Sequence, residues 1–265
     1  RELRDLGPAK VLPELDAWAA KLDATQEADA HALLEAAWAR EGANAFSPQL
    51  WRRLWEQPDA RIRAAALRIL SHRWKQMPEV MKVLEQAVAD ENAQVRLWAL
   101  AVLAEMRKPG AVSLALKTLD QPMDEQLDFL LEQTCREQAD VWMPAVLEGK
   151  LKLDERPKHL VYAMKSTGRG DALPPLFAAL KTGRLSAEDA AAVLGMAGAA
   201  ADAAQAKGMA DMVNDASLGA YFMGLMDALI KAAADRKIIP EGAADTVQAW
   251  LARPEPHVVH RAAIL

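Results

Sequence analysis

The sequence has 265 residues, a formal net charge of −5 and a pI near 5.6. Hydrophobic residues make up 52% of it but aromatic residues only 5%, a balance that favours a helical protein over a β-sheet protein. The acidic charge argues against a nucleic-acid partner, because phosphate contacts need a basic surface. A single cysteine excludes a disulfide framework and a cysteine zinc site. The longest apolar run, residues 190–201, is shorter than the roughly twenty residues of a membrane span, so none is predicted.

The first half of the chain predicts four helix pairs. Proline residues in first turns, Ser47 as an N-cap and Gly42 as a C-terminal stop mark their ends. The predicted helices cover residues 13–22 and 26–41, 48–56 and 59–74, 78–89 and 91–106, and 111–119 and 123–137.

The second half continues this rhythm with weaker signals. Ser186 and Asp189 have the spacing of a capping box, while residues 198–215 are rich in alanine and glycine and predict a loose loop. The predicted pairs are residues 141–147 with 157–165, 173–181 with 187–201, and 218–235 with 241–251, before an eighth pair that begins at residue 257.

Two stretches, residues 58–70 and 91–103, are near copies of each other. They share five identities in thirteen positions, at an offset of 33 residues that separates Arg63 from Arg96. A fixed period of this length means one repeated helical unit, and the pattern resembles the second helix of a HEAT repeat. The prediction is therefore an all-α fold, a right-handed α-α superhelix of about seven helix pairs in the armadillo-like, HEAT-like class. It forms one domain over residues 1–265, with better-matched repeats in 1–190 and degenerate repeats in 191–265.

The last residues resemble the start of another repeat helix, since residues 259–264 can be laid on 62–67. Solenoids end in polar capping repeats. We therefore expect the chain to be a fragment of a larger multidomain protein.

A more specific resemblance covers most of residues 1–190. Five segments in this part of the sequence resemble the HEAT-repeat region of the large PVC-type haem-binding CxxCH proteins, which are described as membrane-bound dehydrogenases. They are Asp5-Leu6-Gly7-Pro8, Asp90-Glu91-Asn92-Ala93-Gln94-Val95-Arg96-Leu97, Leu119-Asp120-Gln121-Pro122-Met123-Asp124, Trp142-Met143-Pro144 and Gly183-Arg184-Leu185.

This resemblance implies a scaffold inside an exported redox protein. In that family the helical region lies between a sugar-dehydrogenase-like propeller and a c-type cytochrome domain, so an extracytoplasmic location is implied. Haem c would lie elsewhere in the parent protein, because no C-x-x-C-H motif occurs here and Cys135 is followed by Arg136 and Glu137. We expect no catalysis and no cofactor in this fragment, whose partners would be other domains of the same polypeptide or another protein.

The sharpest surface feature is a basic stripe between residues 48 and 76, with seven Lys or Arg against two acids. It could bind an anionic glycan or peptide. The alternative is a solvated helix face, which the next repeat favours because its equivalent residues are not basic except for Lys108. The candidate residues are Arg52, Arg53, Arg61, Arg68, His72 and Lys75.

Arg63 and Arg96 recur at the repeat period and favour a structural interpretation. In HEAT-like repeats such an arginine bonds to an acid or amide of an adjacent repeat. The sequence offers Asp59 and Asn92 as the corresponding residues.

The tryptophans, the cysteine and two histidines are further candidates, and most of them are expected to have structural roles. Six of the eight tryptophans lie in the first hundred residues, where core packing is expected over a stacking surface. Cys135 is expected in the core. His257 and His260 share a helix face but have no further metal ligand. A remaining hypothesis, a HEAT-like DNA glycosylase, is weakened by the acidic charge.

Overall fold

A computed structural model describes residues 7–153, 155–240 and 242–265. Within these ranges the chain forms α-helices joined by turns and short 3-10 segments, without a β-strand. The predicted all-α class is confirmed. No helix in the described ranges combines the length and the apolarity needed to cross a bilayer.

The chain divides into two compact units, one up to Thr134 and one from Cys135. The helices of the first unit, with α8 crossing the boundary, are α1 Pro8–Ala19, α2 Glu27–Gly42, α3 Pro48–Trp55, α4 Ala60–Arg73, α5 Val80–Ala87, α6 Ala93–Met106, α7 Pro109–Ala115 and α8 Glu125–Glu137. Those of the second are α9 Ala139–Leu147, α10 Pro157–Thr167, α11 Leu173–Lys181, α12 Ala187–Ala200, α13 Ala203–Val213, α14 Phe222–Arg236, α15 Ala243–Leu251 and α16 Pro256–Ile264.

Polar residues before the helices determine where several of them start. The Ser47 hydroxyl accepts a hydrogen bond from the Leu50 amide, and Asp59 and Asn92 cap α4 and α6 at equivalent positions. Ser186 caps α12 by accepting from the Asp189 amide. Each side chain satisfies an amide that the first helical turn leaves without a partner.

Within each unit, alternate helices contact each other in series, and we call these the ladder helices. In the first unit α2 packs on α4 and α4 on α6, while in the second α10, α12, α14 and α16 follow one another. The remaining helices pack beside the ladder, as in the pairs α3–α4, α5–α6, α11–α12 and α13–α14. This contact pattern is that of stacked helical repeats.

The ladder helices bury one apolar face. In α4 the predicted stripe of Ile62, Ala66, Ile69 and Leu70 is at most 6% exposed. The matching residues of α6, among them Val95, Ala99 and Leu103, are fully buried. Burial of such side chains contributes about 25 cal/mol per Å² of apolar area removed from water, so the ladder contacts stabilise the fold.

The first helix begins earlier than the predicted residue 13. It starts at Pro8, after Gly7 in a left-handed conformation with φ of 79°. Pro13 lies inside the helix, and both Pro13 and Ala9 are exposed. The Ala9 carbonyl, which loses its amide partner at Pro13, can therefore bond to water.

The prediction of a loose loop over residues 198–215 is wrong. Helix α12 continues to Ala200, and α13 forms nearly all of the rest. Asp202 and Gln205 make a reciprocal capping box at its start, and its alanines have the highest helix propensity.

The extra helix changes the pairing that follows it. Helix α13 packs against α14, and α15 packs against α16, whereas the sequence had paired α14 with α15. In the first half, predicted helix 111–119 is instead the short α7 followed by a 3-10 segment, Leu116–Asp120. Two predicted features, the start of a helix at Glu241 and the Asp5-Leu6 motif, fall outside the described residues.

Candidate functional site

The predicted basic residues lie on two different helices of the first unit. Arg52 and Arg53 are in α3, beside the ladder, whereas Arg61, Arg68 and His72 lie along α4. Lys75 follows in the 3-10 segment Trp74–Gln76. The exposed face of α4 is therefore the part that could present a row of cations.

Arg53 has a structural role. Its guanidinium donates to the carbonyls of Ala19 and Leu22, at 2.8 and 2.7 Å. The Ala19 carbonyl belongs to the last residue of α1 and the Leu22 carbonyl lies just beyond it, where backbone acceptors lack the amide partner of a continuing helix. Arg53 therefore connects α3 to the end of α1, and Arg52 remains exposed.

Arg61 is exposed but compensated by acids. Its side chain bonds to both carboxylate oxygens of Asp59, with the shortest contact at 2.6 Å, and reaches within 3.6 Å of Glu27. These bonds from Arg61 hold the pKa of Asp59 below its usual value of 3.8. Little net positive charge remains at this end of α4.

Arg68 and Lys75 are placed over aromatic rings. The Arg68 guanidinium lies 5.6 Å from the ring centroid of Trp98 in α6. The Lys75 ammonium lies 5.4 Å from that of Trp74, and Lys108 lies 5.9 Å from the same ring. Such cation–π contacts are electrostatically favourable and hold long side chains in place.

These five residues form what we call the cation–tryptophan surface: Arg68, Trp74, Lys75, Trp98 and Lys108. No carboxylate within the described ranges forms an ion pair with any of its three cations. Their positive charge is directed to solvent rather than neutralised. The participation of Trp74, Trp98 and Lys108 was not predicted, although Lys108 is the equivalent of Lys75 at the 33-residue offset.

The tryptophans of this half are less buried than expected. Trp51 is fully buried and its indole donates to the Ala66 carbonyl. Trp18 and Trp38, in contrast, are 43% and 42% exposed, and the others are partly exposed. The expectation of core packing is therefore wrong for Trp18 and Trp38, which do not belong to the buried residues of α1 and α2.

Arg63 and Arg96 bond to residues other than those predicted. Arg63 forms two 3.0 Å bonds to the Asp90 carboxylate and donates to the carbonyls of Gln57 and Pro58. Asp59 and Asn92, the predicted partners, cap their own helices instead. The Asp59 carboxylate already accepts bonds from the Arg61 amide and from the Arg61 guanidinium, and Arg63 bonds to Asp90 instead.

Arg96 repeats the same geometry one period later. It donates to the carbonyls of Asp90 and Glu91, which are the equivalents of Gln57 and Pro58, and to Pro122. Met123 stands where Asp90 would recur, so no carboxylate receives this guanidinium. Arg96 is only 2% exposed, and its Nε atom has no hydrogen-bond partner.

The remaining candidates are Cys135 and the histidines His257 and His260. Cys135 is buried, which fits the expected core position. His257 and His260 are exposed. In the described part of the chain, no group of three or more His, Cys, Asp or Glu side chains could hold a metal ion.

Comparison with known families supports the repeat interpretation of the first unit. Residues 47–132 match the family of HEAT repeats. This part of the chain is thus a HEAT-repeat region, and it contains α3 to α6 with the cation–tryptophan surface. No curated protein matches the chain.

Proposed function

We propose that this chain is a non-catalytic scaffold that holds other protein domains in a fixed relation through the exposed faces of its ladder helices. The observation that carries the proposal is the use of the recurring polar residues. Each of these residues bonds to backbone or to a neighbouring repeat; they are Asp59, Arg63, Asn92 and Arg96. The recurring polar residues therefore hold the stacked helices together, and the outer surface remains available for partners.

We further propose that the parent is an exported protein related to c-type cytochromes and dehydrogenases, with haem c outside these residues. The support is the sequence resemblance in residues 1–190 to the PVC-type CxxCH proteins. In such a protein the scaffold would set the distance between a haem domain and a dehydrogenase domain. Its own residues would bind no cofactor.

The gene on either side of these residues provides the first test. We expect a signal peptide and a strand-rich region upstream, and a C-x-x-C-H motif downstream. Haem staining should then detect covalently bound haem in the downstream region of the purified parent protein and not in residues 1–265. A reading frame without these features would contradict the cytochrome context but leave the scaffold proposal to be tested through its partners.

A second candidate function is recognition of an anionic glycan or peptide by the cation–tryptophan surface. The observation that favours it is the absence of carboxylate partners for Arg68, Lys75 and Lys108. The tryptophan faces are occupied by these cations at 5.4 to 5.9 Å. A ligand would therefore meet outward-facing N–H donors, which suit carboxylate or sulfate better than an uncharged sugar ring.

Binding of polyglutamate and of heparin at low salt tests this candidate. The triple variant Arg68→Glu, Lys75→Glu, Lys108→Glu should abolish binding of either polyanion. Lys82→Glu on α5 is the control, since Lys82 is exposed in the same unit and forms no ion pair with another described residue. Arg61→Glu should have a smaller effect than Arg68→Glu because Asp59 already compensates Arg61.

The result would be negative for this candidate if neither polyanion bound, or if the triple variant and Lys82→Glu weakened binding equally. Duplex DNA serves as a further probe for the glycosylase hypothesis. Tight, salt-sensitive DNA binding would revive that hypothesis. We expect none, because the cationic row does not extend to α6, where Gln94 and Glu105 take equivalent positions.

A further inference from the structure

The second unit contains a cavity of about 340 Å³. It lies where the end of α9, the start of α10 and one side of α11 meet. Apolar groups form most of its wall, including Val146, Leu151, Leu160, Ala178 and Ala179. Its volume falls at the lower end of the range for small-molecule sites.

The charged residues of this cavity are all cations. Among the described residues, Lys152 and Arg184 contribute to its lining and no carboxylate does. Arg184 makes no ion pair within the described ranges. Lys152 has only a 3.9 Å contact with Glu155, in which both side chains are 71% exposed, so water screens that pair strongly.

The backbone holds Arg184 beside the cavity. Gly183 ends the α11 turn in a left-handed conformation, with φ of 66°, which suits glycine. The Arg184 amide then bonds to the Thr182 hydroxyl at 3.3 Å, and Thr182 also lines the cavity. Local structure therefore places the Arg184 backbone beside the cavity, and no acceptor among the described residues bonds to its guanidinium.

We propose that this cavity binds a small anionic amphiphile, an alkyl carboxylate of about eight carbons. Its chain lies against Leu151, Leu160 and Ala179, and its carboxylate accepts hydrogen bonds from Arg184. An apolar wall favours the alkyl chain, and a guanidinium is well matched to a carboxylate. The inference does not depend on the scaffold proposal.

The larger cavity of the same unit lacks this charge asymmetry. It measures about 630 Å³ between α12 and α14, with Asp227 and Lys231 in its lining. Both are already paired, Asp227 with Arg261 and Lys231 with Asp235. Without an uncompensated charge it has no preference for an anion, which makes it an internal comparison for ligand placement.

Titration calorimetry with octanoate, 1-octanol and acetate tests the proposal on the whole chain. Octanoate should bind saturably with one site. Octanol should bind about tenfold more weakly, because it cannot form charge-assisted bonds with Arg184. Acetate should be at least about 100-fold weaker, since each buried methylene contributes roughly fourfold in affinity.

Two variants separate the charge from the cavity. Arg184→Gln should weaken octanoate about tenfold and leave octanol unchanged. Ala178→Trp should abolish both, because Ala178 is exposed at the cavity and an indole there fills it. Lys165→Gln is the control, since it removes an exposed cation from α10 outside the cavity.

Circular dichroism and thermal unfolding establish that each variant is folded. The proposal is overturned if octanoate does not bind at millimolar concentration. It is also overturned if Ala178→Trp binds octanoate normally, or if Arg184→Gln and Lys165→Gln weaken it equally. Methyl NMR shifts at Leu151 and Leu160, rather than at Leu194 beside the larger cavity, would place the ligand as proposed.

Discussion

Arginine bonds connect ladder helices in both units, but the second unit adds a close contact at a glycine. In the first, guanidinium groups cross from one repeat to the next, from Arg63 to Asp90 and from Arg96 to the Pro122 carbonyl. In the second, Arg261 of α16 also bonds to Asp227 of α14, but at the contact of α12 with α14 a glycine allows close approach, because a Cβ on Gly198 would lie 3.1 Å from the Ala228 carbonyl oxygen. Repeat stacking can thus rest on directional polar bonds or on close packing of backbone.

The arginines of the first unit recur at the repeat period, which fits the extent of the family match. Arginine bonds depend on particular residues at fixed offsets, so they leave a periodic signature in the sequence. Close packing requires only that a residue be small, and several alanine or glycine patterns meet that need. The match to HEAT repeats accordingly covers residues 47–132, where Arg63 and Arg96 recur.

The largest expected effect in this comparison is at Arg96. Arg96→Met should lower the free energy of unfolding of the first unit by about 3 kcal/mol, because three carbonyls lose their donor in a buried setting. Hydrogen exchange of the α6 amides measures this loss without requiring both units to unfold together.

Arg52→Met is the control for that substitution. Arg52 is exposed and has no polar partner in the described part of the chain, so its replacement should change stability by no more than about 0.5 kcal/mol. Equal losses from Arg96→Met and Arg52→Met would mean that arginine bonding does not hold the first ladder together.

A second effect should appear in the glycine-packed unit. Gly198→Val should cost about 2 kcal/mol, because the new side chain meets the backbone of Ala228. Gly195→Ala should instead stabilise by about 0.5 to 1 kcal/mol, since nothing lies within 4 Å of the added Cβ. Urea unfolding of the two variants checks the opposite signs, and stabilisation by both would show that α12 and α14 can separate.

Most of the fold could be predicted from local signals. Ser47, Asp59 and Asn92 mark helix starts by side-chain chemistry, and the stripe from Ile62 to Leu70 marks a buried face. The failure over residues 198–215 came from reading glycine as a loop signal. Gly198 and Gly208 instead lie within helices, and Gly198 serves packing that involves a residue thirty positions away.

The candidate site was less predictable. Helix periodicity placed Arg68 on an exposed face, but not Trp98 beneath it, because that contact depends on how α4 packs against α6. The partner of Arg63 was missed for a related reason. Asp59 is the nearer acid in sequence, yet its carboxylate bonds to Arg61, and the carboxylate that Arg63 reaches is Asp90 in the next repeat.

The smallest predicted effect concerns the caps of the two matching repeats, Asp59 and Asn92. Asp59→Ala should lower stability at neutral pH by about 1 kcal/mol, the usual contribution of an N-cap. Asp59→Asn should cost only a few tenths, because asparagine caps equally well and the exposed pair with Arg61 contributes little. Chemical unfolding of the variants at neutral pH measures both values.

Acid titration then distinguishes the charged cap from the neutral one. Hydrogen bonds from Arg61 lower the pKa of Asp59 in the folded state, so the folded protein favours the ionised carboxylate. The resulting stabilisation is present above the unfolded-state pKa, near 3.8, and is lost as the pH falls through the lower folded value. The difference between the native protein and Asp59→Asn should therefore shrink on acidification, whereas the cost of Asn92→Ala should stay constant. A cost of Asn92→Ala that followed the same acid profile would show that the carboxylate of Asp59 is not the source of the change.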